Sequence, residues 1–177
     1  VVDVDVNAAM DEEVSADLIK AAQEADLIEG GRYRFQVETA ERVENMKEFF
    51  DEEQTRKNPF YGKNVYNLRM RLTAKRDGKD KKAPFVTLDR PRTHFQKVTA
   101  ATVLNSRGEL STESVLFGQM AGIYAKATGE KPTVGAVLGY FSDNAAEVHI
   151  TKSEEAEKNG VTYAAKNWVR GIKAITE

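Results

Sequence analysis

At 177 residues the chain is long enough for one domain with a real core, and without cysteine it has no disulfide frame, thiol nucleophile or cysteine–zinc site. No apolar run approaches the ~20 residues of a membrane helix. The opening residues lack the basic-then-apolar pattern of an export signal, so the cytoplasm is the expected compartment. The net charge of −2 hides a division: residues 1–29 hold nine carboxylates against Lys20 alone, and the other 148 residues carry +6. A pI near 5.9 therefore does not argue against a polyanionic partner.

In chain order, Val1 to Val6 alternates Val with Asp and reads as a short strand or a fraying end. From Asp11 to Ala25 the apolar Val14, Leu18, Ile19 and Ala22 recur at helical spacing, behind three acids placed where a helix dipole favours them. This acidic arm ends at Gly30-Gly31. It reads either as an amphipathic helix packed on the domain edge, or as an arm that covers a basic surface or recruits a partner. Arg32 to Val43 then alternates, with Tyr33, Phe35 and Val37 inward and Arg32, Arg34, Gln36 and Glu38 outward, the period of a half-buried strand. Glu44 to Lys63 is a long connection, acidic around Phe49-Phe50 and basic from Arg56, with a short helix expected over Val43 to Glu53. Ordered loops of this length usually serve as binding elements or lids.

Asn64 to Arg76 is a second alternating strand. Tyr66, Leu68, Met70, Leu72 and Ala74 make its apolar side; Val65, Asn67, Arg69, Arg71, Thr73 and Lys75 make a polar, mostly cationic one. Arg76-Asp77-Gly78-Lys79 signals a hairpin, and Ala83 to Leu88 is the returning strand, with Pro84 marking an edge or bulge. Arg90, Arg92, His94 and Lys97 form a second cationic cluster around Pro91 and Phe95. Ser111 predicts the N-cap of a helix reaching about Lys126, with Leu116, Met120, Ile123 and Tyr124 as its stripe. A shorter helix is expected over Thr133 to Phe141. Val148 and Ile150 begin a strand, and Lys152 to Gly160 is a charged turn. Val161 to Ile172 is the last strand, with Val161, Tyr163, Ala165 and Val169 on its core side and Lys166, Trp168 and Arg170 opposite.

From Arg32 the order is strand, long loop, strand, tight turn, strand, helices, strand, turn, strand. That order fits a mostly β, five-stranded OB-type barrel with one or two helices between strands 3 and 4, which binds oligonucleotides on its middle strands and flanking loops. The expected division is an acidic arm over residues 1–29 and an OB domain over 30–177. Gly31-Arg32-Tyr33-Arg34-Phe35, the run Asn64 to Leu72, and Gly160-Val161-Thr162-Tyr163 resemble three strands of bacteriophage-encoded single-stranded DNA-binding proteins of OB fold. The resemblance covers the pattern of residues 30–172 and departs from it at Ala164-Ala165-Lys166. It implies a non-enzymatic protein that coats single-stranded DNA in phage-type replication or recombination, with little sequence preference and no cofactor.

Such binding needs cations along a groove and aromatic planes on which bases stack. The candidate phosphate contacts are Arg32, Arg34, Lys63, Arg69, Arg71, Lys75, Arg90, Arg92, Lys166 and Arg170; the candidate stacking residues are Phe60, Tyr61 and Trp168. Neighbouring strands that both repeat Arg-x-Arg set like charges side by side, which a polyanion would relieve. Singly, each arginine also fits an ordinary solvated face, and Phe60-Tyr61 equally fits a clamp holding the loop to the barrel. His94 and His149 have no metal-ligand spacing, and no phosphate loop or hydrolase motif occurs, so neither an enzyme nor a metal site is expected. The rivals are a β-barrel interaction scaffold or virion component working through the acidic arm, and a metal-dependent nuclease built on Asp3, Asp5 or Asp51 to Glu53. The expected partners are single-stranded DNA or RNA, replication and recombination proteins met through the arm, and a second copy in a homodimer; no membrane is expected.

Overall fold

The computed structural model describes residues 12–176, so the Val/Asp run at 1–6, with Asp3 and Asp5, lies outside the described residues. Helix α1 (Ala16–Ala25) precedes β1 (Gly31–Arg42), β2 (Val65–Arg76) and β3 (Phe85–Thr99). Helices α2 (Thr112–Thr128) and α3 (Val134–Asp143) lead to β4 (Ala146–Lys152). A small hairpin of β5 (Ala156–Lys158) and β6 (Val161–Tyr163) then precedes β7 (Asn167–Lys173).

Five strands pair antiparallel in the order β3-β2-β1-β4-β7, and β5-β6 forms a separate two-stranded sheet. Strand β1 is long because it serves two neighbours: Gly31 to Phe35 pair with β4, and Tyr33 to Arg42 pair with β2. Among the described residues no ladder joins the edge strands β3 and β7. Helix α2 packs against both of them instead, and Gln119 Oε1 accepts the Ile172 N–H of β7 at 2.8 Å. At the Gly31 end, Asn167 holds Ile28 by both its N–H and its carbonyl, at 2.7 and 2.6 Å. Arg92 donates to the Asp26 carbonyl at 3.0 Å. Ile28 is itself a core residue, so the end of the arm belongs to the packed body.

The core lies between the inner sheet face and the helices. Phe35, Leu68, Met70, Leu72, Val148 and Ile150 meet Leu116, Met120, Val137 and Phe141, and the Phe35 and Phe141 rings stack with centroids 6.1 Å apart. The helix ends follow the sequence signals closely. Ser111 Oγ accepts Ser114 N–H at the start of α2, and Gly129 takes the left-handed φ of 70° that closes it. Thr133 caps α3 in the same way. Among the described residues no helix is long and apolar enough to cross a membrane.

Several local expectations are corrected. No helix forms over Val43 to Glu53. Asp51 accepts both the Thr55 N–H and hydroxyl, at 2.9 and 2.6 Å, which favours a tight turn over a helical one. The segment pairs as an irregular hairpin, with Phe50 N–H to the Arg56 carbonyl and Asn58 N–H to the Glu48 carbonyl. The returning strand and the second cationic cluster are one strand, β3, interrupted between Thr87 and Arg92, where Leu88 to Pro91 have no partner on β2. A proline without an N–H is accommodated there. The last strand is divided in two. Asn159 and Gly160 both adopt positive φ, closing the β5–β6 hairpin in the manner of a type I′ turn, and Val161 and Tyr163 are exposed on it rather than buried. Helix α1 buries none of its residues: Leu18 and Ile19 are exposed, as is Val14 before the helix, and Lys20 pairs with Glu155 beside the small hairpin.

Candidate nucleic-acid interface

The decisive local feature is a bulge in β2. Phe35 stands opposite Leu72 and Arg34 opposite Ala74, so Thr73 is an extra residue. A bulge of one residue reverses the facing of everything beyond it. Val65, expected on the polar side, is buried, whereas from Asn67 to Leu72 the strand alternates as its sequence predicts, with Leu68, Met70 and Leu72 inward and Arg69 and Arg71 outward. Beyond it Lys75 turns to the inner side, opposite Tyr33, with its ammonium 5.7 Å from the Tyr33 ring centre and 3.4 Å from Glu29. Ala74 and Arg76 turn to the outer side with Arg34 and Glu147. Lys75 therefore does not join Arg69 and Arg71.

On the outer face of β2–β3 the register sets three rows side by side. Lys97 stands opposite Asn67, Phe95 opposite Arg69, and Thr93 opposite Arg71. Phe95 is 58% exposed, although it lies within a regular ladder. Arg69 and Arg71 are exposed beside it. Arg69 Nε lies 3.1 Å from Glu38, a half-exposed pair of the weak kind that a stronger anion displaces. Across β1, Arg71 stands opposite Gln36. The result is an aromatic ring set among three cations on an edge of the sheet. Of these residues the sequence reading has Arg69 and Arg71 among its candidate contacts, and Lys97 and Phe95 only as members of the second cationic cluster. The signal was available: Arg92, His94, Gln96 and Val98 share one parity, and Thr93, Phe95 and Lys97 the other.

The remaining candidates separate. Arg32 and Arg34 do point outward, but they belong to a different cluster. Glu147, with its side chain only 2% exposed, accepts Arg76 Nε at 2.5 Å and lies 3.5 Å from Arg32 and 3.8 Å from Lys173. Phe85 covers this cluster, 4.2 Å from the Arg76 guanidinium and 5.5 Å from that of Arg34. Arg76 also donates to the Ala83 and Thr176 carbonyls, so the cluster ties β2, β4 and the chain's last described residues together. Arg32 thus spends its charge on a buried carboxylate. Arg92 faces inward opposite Leu72 and binds the end of α1, so it does not extend the outer face. Arg90 is exposed in the β3 bulge.

In the long loop Tyr61 is exposed and Phe60 half-buried, held in a turn by Asn58, while Lys63 is exposed beside them. Trp168 stands opposite Thr151 on the outer side of β7, flanked by Lys166 at 4.0 Å and Arg170 at 5.8 Å from its ring. A base stacking there would have to displace the lysine, whereas the Phe95 ring carries no such contact among the described residues. The loop leaves β1 at Arg42, and the β4–β7 connection leaves from the Gly31 end, so these two aromatic groups attach at opposite ends of β1.

The electrostatics around the two histidines follow from burial. His94 faces inward opposite Met70, and burial holds its imidazole below the ordinary value. His149 is lowered first by burial and then by Arg32, Lys173 and Arg170. The Thr55 hydrogen bonds hold the Asp51 carboxyl low, a turn-forming role for one acid of the suggested nuclease set. No protein-family model, curated protein or solved structure matches the chain.

Proposed function

We propose that the chain binds single-stranded DNA with little sequence preference, by phosphate neutralisation and base stacking on the outer face of β2–β3, and coats such strands in phage-type replication or recombination. The observation that carries this reading is the exposed Phe95 set opposite Arg69, with Arg71 and Lys97 in the flanking rows. A scattered exposed apolar residue needs no explanation, but an aromatic plane among unburied cations is what a sequence-tolerant single-strand site requires. The strand order, with β1 shared by β2 and β4 and helices between β3 and β4, fits an OB-type barrel left open between β3 and β7. The Tyr61 loop and the Trp168 strand supply further contacts at the margins of the same face.

Fluorescence titration with oligo-dT at several salt concentrations tests the reading. Log affinity should fall with log salt by ~0.7 for each phosphate contacted. No binding at low salt would end the proposal. A second reading, an interaction scaffold or virion component, rests on the exposed Leu18 and Ile19 of α1 and on Val14 just before it. Under it, removing α1 abolishes capture of a protein partner and leaves oligonucleotide affinity unchanged.

A further inference from the structure

A cleft of ≈ 1020 Å³ opens at the Gly31 end of the sheet, spanning the ends of β1, β2, β3 and β4. It opens around Lys75, which the Thr73 bulge has turned over, and none of Arg69, Arg71, Phe95 and Lys97 lines it. Its charged lining is five cations against two acids, Asp77 and Asp89. Arg32 and Arg76 are committed to Glu147, which leaves Lys75, Lys79 and Lys152 as the charges a ligand would meet. Lys79 and Lys152 are exposed, and among the described residues no carboxylate pairs with either. Lys75 is held by Glu29, itself 85% exposed, an ion pair that costs little to break. Gly31 leaves room for the present path of this side chain: a Cβ there would stand 2.5 Å from Lys75 Cε, at the flexible end of the lysine. Val86 and Leu88 supply an apolar wall, and besides the small His149 imidazole no ring lines the cleft: it holds no Phe, Tyr or Trp.

We propose that this cleft is a second contact for the polynucleotide bound at the outer face, one that takes its phosphodiester backbone and stacks none of its bases. The inference rests on the single-strand reading above. Cations without aromatic planes recognise phosphates and not bases, whereas the Phe95 face offers both. The two sites are within reach of one strand. Arg71 and Lys75 are four residues apart on β2, about 13 Å at the rise of a strand. Between them β3 bulges away from β2 at Leu88 to Pro91, carrying the exposed Arg90 at the sheet edge that the strand would cross. Glu29 marks the cleft as the point where the acidic arm meets the sheet, so the incoming backbone exchanges one carboxylate for its own phosphates.

The test compares the full chain with its Lys79→Glu/Lys152→Glu variant on oligo-dT of about 5 and about 16 nucleotides, the range covered by one such domain. The short strand fills the Phe95 face alone and should bind both proteins with the same affinity. The long strand should bind the variant more weakly, with a salt slope reduced by about 1.4, two contacts' worth. Equal affinity and slope on the long strand would overturn the cleft and leave the outer face standing. Equal losses on both lengths would also overturn it, since the two lysines would then act only as a general field. Failure of the unaltered chain to bind either length would instead remove the single-strand reading itself.

Discussion

Replacing Phe95 by alanine separates stacking from charge at the proposed interface. The ring is 58% exposed, so roughly two-fifths of a side chain worth ~200 Å² is buried, about 2 kcal/mol at ~25 cal/mol per Å². Alanine retains part of that contact, and the loss of stability should be about 1 kcal/mol, a drop of a few degrees in Tm. The folded protein therefore persists. In binding, one stacked base is worth ~1–3 kcal/mol, so affinity for oligo-dT should fall about 5- to 160-fold. No cation is removed, and the slope of log affinity against log salt should stay the same. Phe95→Tyr keeps an aromatic plane and should stay close to the unaltered chain. Equilibrium titration at three salt concentrations reads both quantities. Wild-type affinity in a folded Phe95→Ala protein would refute the stacking role, and a loss accompanied by a shallower slope would assign the effect to the neighbouring cations.

Two further predictions concern the body of the fold. Glu147→Gln leaves the Arg76 guanidinium buried without its carboxylate, so unfolding free energy in urea should fall by about 3–5 kcal/mol; an unchanged midpoint would mean the cluster holds nothing together. His94 and His149 both have folded values depressed below about 6.5, so below that pH the unfolded chain takes up protons that the folded chain refuses. Stability should be full above pH 6.5 and decline as the pH falls from 6.5 toward the folded values. Urea midpoints at pH 7 and 5.5 measure this, and His94→Gln should shrink the difference; equal midpoints in the unaltered chain would contradict it.

Much of the fold was legible in local pattern. The alternation of Tyr33-Phe35-Val37 and Leu68-Met70-Leu72 fixed two strands and their inner faces, and Ser111 and Thr133 marked the starts of both helices. Single-residue irregularities were not legible. Thr73 looks like any other position of an alternating strand, yet as a bulge it moves Lys75 to the inside and Arg76 to a buried ion cluster. The same blindness hid the role of Arg92, whose facing depends on where β3 resumes pairing after Pro91. Long-range charge pairing was also invisible: nothing near Glu147 in sequence announces that it will neutralise Arg32 and Arg76. Parity with Thr93 and Lys97 puts Phe95 on the outer face, a placement that the cluster of charges around Pro91 obscures. Conversely, Val161 and Tyr163 alternate like core residues but lie on a hairpin beyond the main sheet. Their register partners are Lys158 and Ala156, and both stay exposed.

The most direct test of the outer face is the pair Arg69→Glu/Arg71→Glu. Both side chains are exposed, and the ion pair lost among the described residues, Arg69 with Glu38, is half-exposed, so the fold should be kept, as circular dichroism and the urea midpoint will show. Oligo-dT binding should be abolished at moderate salt. A folded variant that binds oligo-dT as tightly as the unaltered chain would contradict the proposal that β2–β3 is the binding surface.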